Sequence, residues 1–143
     1  MKPRILIVDD EKEFVDSLSE RLAMRDYDVT TSLSGEDALE KVKRCNFDVV
    51  ILDVKMPGID GIETLREIKK MKPLTEVIMV TGDASAEKAA KGMQLGALDY
   101  FMKPVIPEEL LFKIDRGCQR KAEHEQRIRW VKASISRRHP GLH

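Results

Sequence analysis

The sequence predicts an α/β fold of the doubly wound kind, a five-stranded parallel sheet with helices on both faces. Three observations predict it. Short apolar runs recur along the chain, and the first three of them are rich in β-branched residues and do not alternate with polar ones, as strands buried on both faces do. The stretches between the runs carry apolar residues at helical spacing. The order is strand then helix, repeated five times, which implies parallel βαβ units with right-handed crossovers.

The elements follow in chain order. Ile5-Leu6-Ile7-Val8 is the first strand, and Phe14, Val15, Leu18 and Leu22 make the inner stripe of the first helix. Tyr27 to Thr31 alternates with polar residues and reads as an edge strand. Ser34 is placed to cap a second helix whose stripe is Ala38, Leu39 and Val42. Val49-Val50-Ile51-Leu52 is the third strand, followed by a helix with Ile62, Leu65 and Ile68 inside. Val77-Ile78-Met79-Val80 is the fourth. A fourth helix runs from Ser85 to Leu95 and stops at Gly96. Its inner face is expected to be Ala86, Ala89, Ala90 and Met93, which bury little area, so the helix should be weakly anchored. Tyr100-Phe101-Met102 is the fifth strand, and Pro107 opens the fifth helix from its first turn.

A length of 143 residues fits one domain. Net charge is zero, so bulk charge points to no polyanionic partner. The charge is unevenly placed, however: from Arg116 onward there are eight Lys/Arg and two Glu, leaving an acidic body before them. Cys45 and Cys118 have no zinc-site or disulfide spacing, so reduced thiols in an intracellular protein are expected. The start has no signal-peptide pattern, and no apolar run approaches the roughly 20 residues that span a bilayer. A cytoplasmic protein without membrane contact is the expectation.

Ligands of doubly wound sheets bind beyond the carboxyl ends of the strands. There the sequence places Asp9-Asp10, Asp53, Thr81-Gly82 and Lys103-Pro104. If the first and third strands are neighbours, three carboxylates converge. Like charges at about 4 Å cost about 4 kcal/mol per pair at an effective dielectric near 20. A hard divalent cation offsets that cost, and Mg²⁺ commonly takes one or two carboxylates with phosphate oxygens and water. Lys103 adds a second positive charge and Thr81 a hydroxyl donor. That set suits phosphoryl transfer onto a carboxylate nucleophile.

Asp9-Asp10, Asp53, Thr81 and Lys103-Pro104, in this order on a five-fold βα pattern, resemble the receiver domain of bacterial response regulators. Met56-Pro57-Gly58 followed by Asp60-Gly61 is similar to that family's loop after the central Asp. The resemblance runs from about Arg4 to about Gly117. It implies the flavodoxin-like strand order 2-1-3-4-5. It also implies that Asp53 accepts the phosphoryl group and that Asp9, Asp10, Asp53 and the Lys55 backbone carbonyl hold Mg²⁺. Thr81 and Lys103 would bind the phosphoryl oxygens, and Lys103-Pro104 would be a cis peptide. Thr81 and Tyr100 would be the switch pair, while Lys55 and Asp83 would tune phosphoryl lifetime. The opposite charges of Lys55 and Asp83 suggest that they pair across the mouth of the site.

Each residue also has a plainer reading. Asp9 and Asp10 can cap the first helix, Asp53 can start a turn, Thr81 is an ordinary β-residue and Lys103 can be solvated. Tyr100 can be simple edge-strand packing. His124, His139 and His143 share no metal spacing and read as solvated.

The resemblance further implies a sensor histidine kinase or phosphotransfer protein as donor. The recipient is a downstream effector or an output domain elsewhere, and a homodimer through the fourth helix, fifth strand and fifth helix is a further option. Direct nucleic-acid binding is not expected, nor is turnover of an external substrate. A phosphorylation-independent interaction module of the same fold is the alternative. An Asp-nucleophile hydrolase typically has a second Asp two residues after the first, where this chain has Lys55. The domain is read as residues 1–120 and the basic extension as 121–143, either a continuation of the last helix (one helix from Pro107 to Arg138, with Gly117 a weak point), a linker or a disordered tail. Ile128, Trp130, Val131 and Ile135 make a ragged stripe there, which Lys121 and Glu125 interrupt.

Overall fold

In the computed structural model, which describes residues 2–83, 85–139 and 141, the chain alternates strand and helix throughout. The elements are β1 (Arg4–Val8), α1 (Lys12–Ala23), β2 (Asp28–Ser32), α2 (Gly35–Arg44), β3 (Val49–Leu52), α3 (Gly61–Met71), β4 (Glu76–Thr81), α4 (Ala86–Gln94), β5 (Asp99–Met102) and α5 (Pro107–Arg138). All strand pairs are parallel, in the order β2-β1-β3-β4-β5. The expected architecture and strand order are therefore those of the molecule.

Alternation along the strands builds two cores. Leu6, Val8, Val50, Leu52, Val77 and Met79 point to one face and meet Ala38 and Val42 of α2 and Leu65 and Ile68 of α3. Ile5, Ile7, Val49, Ile51, Ile78 and Val80 point to the other face and meet Val15, Leu18 and Leu22 of α1 and Leu110, Leu111 and Ile114 of α5. Every residue of β3 and β4 is buried, which explains their unbroken apolar runs. The alternating β2 and the half-buried β5 are the two edges. Ser34 caps α2 as expected, accepting from the Asp37 N–H at 3.1 Å, and Gly96, at φ +100°, ends α4.

Two expectations about the helices need correction. In α4, Ala86, Ala90 and Met93 are exposed, and the buried residue is Gly92. A Cβ on Gly92 would run into the Met79 sulfur, so α4 packs close on the Met79 side chain, which would have to shift to admit a larger residue. The inner line is Lys88, Ala89, Gly92 and Leu95, about one residue round from the alanine stripe. Gly92 is the one buried residue of α4, so little apolar area is buried under this helix. In α5, Gly117 is not a weak point. The helix runs unbroken for 32 residues, and a Cβ there would meet Val49 Cγ2 at 2.9 Å. Glycine at 117 lets the helix pack close to the sheet.

Of the tail histidines, His124 is half-buried, His139 is exposed and His143 lies outside the described residues. Among the described residues no helix is long and apolar enough to cross a membrane.

Candidate functional site

Strand register delivers the site. Val8 pairs with Leu52, so Asp9 and Asp53 leave the sheet side by side as the next residues of β1 and β3. The Asp53 N–H donates to the Val8 carbonyl at 2.9 Å and continues the ladder to that point. Thr81 pairs with Met102, and the Lys103 N–H donates to the Thr81 carbonyl at 2.8 Å. The gap between β1 and β3 is the switch point of the sheet, where the strand order reverses.

The side chains share one device. Asp9 Oδ1 accepts from the Glu11 N–H at 2.9 Å, Asp53 Oδ1 from the Lys55 N–H at 3.2 Å, and Thr81 Oγ1 from the Asp83 N–H at 3.1 Å. Each is a local turn to the residue two ahead. It fixes one oxygen of each carboxylate and turns the other toward Lys103, at 2.6 Å for Asp9 and 3.8 Å for Asp53. For Asp53 the plain turn reading stands beside the functional one, whereas Asp9 and Asp10 do not cap α1, whose N-cap is Glu11 with no side-chain cap hydrogen bond.

Carboxylate oxygens of Asp9, Asp10 and Asp53 lie within 4.8 Å of one another, with Asp9 and Asp53 buried and Asp10 exposed. Burial pushes the Asp9 carboxyl above its ordinary range, the nearby Asp53 charge adds to this, and the Lys103 and Glu11 hydrogen bonds oppose it. Lys103 Nζ sits 2.6 Å from Asp9 Oδ2, 3.3 Å from Glu11 Oε1 and 3.8 Å from Asp53 Oδ2. Burial alone would lower the Lys103 ammonium, but the bond to Asp9 and the Asp9 and Asp53 charges hold it above its usual value. The shifts of this pair pull in opposite senses. The firm direction is that Lys103 stays protonated, because three acids flank it, while the cost of burial falls on Asp9. The ammonium also lies 4.5 Å from the centre of the Phe14 ring. The Lys103-Pro104 peptide is cis.

The donor set is suited to a small hard dication: all oxygen, net negative, and open to solvent on the Asp10 side. The cleft above it, about 410 Å³, is lined by Asp10, Glu11, Asp53, Lys55, Thr81, Gly82 and Asp83. A larger apolar groove of about 450 Å³ lies beyond Lys103, between α1 and the start of α5. That groove lacks Asp9, Asp10 and Asp53, so it is not the chemical site.

Lys55 and Asp83 both line the mouth, but they do not pair as expected. Asp83 Oδ2 takes the Lys88 ammonium at 3.0 Å, and that bond, with the Ser85 N–H, holds the Asp83 carboxyl below the usual carboxylate range. Lys88 wins because it sits in the first turn of α4, directly below the Ser85 cap, whereas the Lys55 charge acts only weakly from across the mouth. Tyr100 is half-buried against the α2–α3 core, and its hydroxyl donates to the Asp83 carbonyl at 2.6 Å. Burial raises its phenol.

Sequence reasoning missed four contributors. Glu11 and Phe14 hold Lys103, and Lys88 holds Asp83. Glu36 Oε1 accepts from the Ile59 N–H at 2.6 Å and steadies the loop after Asp53. Gly61 was singled out only as part of a motif. A Cβ there would run into the Asp53 carbonyl, so its absence lets α3 start against the backbone of that residue.

The fold and this pocket define a doubly wound α/β domain with an acidic, oxygen-lined site at its switch point. The family model for the response regulator receiver domain matches residues 5–115. The chain is 37% identical over 110 residues to the alkaline phosphatase synthesis transcriptional regulatory protein PhoP of Bacillus subtilis, covering 77% of this chain and 46% of that protein. It is 41% identical over 113 residues to the transcriptional regulatory protein ZraR of Salmonella typhimurium, covering 79% and 26%. A CheY-like receiver domain protein from Methanospirillum hungatei superposes with a TM-score of 0.84 at 35% identity, over 87% of this chain and 99% of that one. The chain belongs to the response regulator receiver domain family of two-component systems. It spans less than half the length of the curated relatives it matches.

Proposed function

We propose that Asp53 takes a phosphoryl group from a phosphohistidine donor and that the receiver passes the change to a partner through α4, β5 and α5. The observation that carries the reading is the convergence of Asp9, Asp10 and Asp53 beside a protonated Lys103. Mg²⁺ held by Asp9, Asp10, Asp53 and the Lys55 carbonyl would neutralise the acids and the transferred group. Asp53 would attack phosphorus in line with the leaving nitrogen, and the Lys55 N–H bond to its Oδ1 supports this by holding the carboxylate in one orientation. Lys103 would bind one phosphoryl oxygen and the Thr81 hydroxyl another.

Thr81, Asp83 and Tyr100 form one hydrogen-bonded chain, so a pull on Thr81 shifts the β4–α4 loop and the Tyr100 ring together. α4, anchored through Gly92, is the element that yields. Lys55 and Asp83 flank the entry for water, which supports a role for both in phosphoryl lifetime. Residues 1–120 are taken as the receiver and 121–143 as its extension, in a cytoplasmic protein served by a sensor histidine kinase or phosphotransfer protein. An effector protein or an attached output domain receives the signal.

Incubation with acetyl phosphate and Mg²⁺, followed by intact mass, tests the assignment. The wild-type chain gains one phosphoryl group. Asp53→Asn gains none while its circular dichroism is unchanged. Equal incorporation in that variant refutes Asp53 as the acceptor.

A further inference from the structure

The helix α5 continues well past the body. Its last buried residue among those described is Lys121, whose ammonium meets Asp48 at 3.5 Å and Glu125 at 3.1 Å. Arg120 reaches Glu76 at 3.5 Å on the same amino-terminal rim of the sheet. Beyond this foot the helix projects for roughly 25 Å at 1.5 Å per residue. Ile128, Val131 and Ile135 are 41%, 42% and 44% exposed on it, beside Trp130 at 64%.

Two regularities of this projection point to its occupant. First, Ile114, Gly117 and Lys121 face the body, and the same alternation of three- and four-residue steps leads on to His124, Ile128, Val131 and Ile135. That is the spacing of a two-helix seam. Lys121 is taken up by Asp48, and Glu125 lies on the flank, so neither interrupts the exposed part. The steps from 124 to 135 are four, three, four, the same read in either direction. An antiparallel copy therefore sets Ile128 on the partner's Val131 and His124 on the partner's Ile135, so Ile128, Val131 and Ile135 are all covered while Trp130 stays off the seam.

Second, charge selects the same direction. Arg127, Arg129, Lys132, Arg137 and Arg138 are the only charged residues of 126–138, whereas Glu123 and Glu125 lie at the foot with Asp48 and Glu76 near them. Parallel pairing stacks cations on cations. Antiparallel pairing in this register puts Glu125 and the partner's Lys132 on the same flank of the seam, twice over by symmetry.

We infer that residues 122–138 are a self-association surface, on which a second copy of this chain docks antiparallel. The contact is short of the roughly 800 Å² per partner of a standard interface, so the dimer is a weak and reversible one. It lies at the opposite end of the molecule from Asp53 and does not rest on the phosphoacceptor assignment.

Sedimentation velocity of the 143-residue chain over a micromolar-to-millimolar dilution series tests this, with Asp53→Asn run in parallel. Both proteins are expected to dimerise, more weakly at high salt. Ile128→Ser with Ile135→Ser, both on exposed positions, abolishes the dimer with helicity retained. Glu125→Lys weakens it, and adding Lys132→Glu restores it. In a Cys45→Ser, Cys118→Ala background, His124→Cys cross-links to Ile135→Cys in mixed samples. A monomer at every concentration, a dimer indifferent to the Ile pair, or preferential self-cross-linking of Val131→Cys overturns the inference.

Discussion

Asp9, Asp53 and Thr81 are oriented by hydrogen bonds to backbone N–H groups two residues on, so the site is pre-set by local chain geometry before any ligand arrives. What remains is charge crowding, relieved on one side by Lys103. Mg²⁺ should therefore stabilise the fold by mass action, by about 2.7 kcal/mol once its concentration is about 100 times the dissociation constant. Urea unfolding with and without Mg²⁺ checks this, and Asp10→Asn or Asp53→Asn should lose most of the response. The thiols make a second residue-scale prediction. Burial first, then the Asp48 and Asp115 charges, push the Cys118 thiol up to about 12, so it stays protonated through neutral pH and is slow to react. Iodoacetamide at pH near 8 should label the half-buried Cys45 first, and Cys118 only on unfolding. The acids, Thr81 and Lys103 were legible as residues, because strand ends are visible in the sequence. Lys88 as the partner of Asp83 was not, because opposite charge alone does not say which lysine a helix turn brings near.

The strands were legible as elements because burial on both faces leaves unbroken apolar runs. Helix faces were harder, and the reason is glycine. In α4, three alanines suggested the inner stripe, yet Gly92 is the residue against Met79. In α5, Gly117 suggested weakness, but the helix is continuous and the position is crowded by Val49 and Leu98. A propensity argument treats glycine as a cost of about 1 kcal/mol, whereas here it is what close approach requires. Gly117→Ala should therefore destabilise the protein. Overpacking costs about 1–3 kcal/mol, and the gain in helix propensity of about 1 kcal/mol does not cover most of that range. A urea midpoint that rises on this substitution would show that the helix can back away from the sheet.

At the scale of the molecule, the sheet separates two ends. The carboxyl ends of the strands hold the acidic pocket, and the amino ends hold the foot of the long helix, tied by Lys121 to Asp48 and by Arg120 to Glu76. The uneven charge seen in the sequence thus has a spatial meaning, an acidic body with a basic rod leaving it. The rod was one of three options in the sequence, because its apolar residues are sparse and only the continuous backbone shows that they share a side. Everything at the first end depends on a phosphoryl group reaching Asp53 with a dication among the acids. The most direct measurement exposes the wild-type protein to acetyl phosphate with Mg²⁺ or with chelator, then maps the modified peptide by mass. The account predicts one phosphoryl group on the peptide containing Asp53, with Mg²⁺ only. A group on another residue, or equal incorporation in chelator, would contradict it.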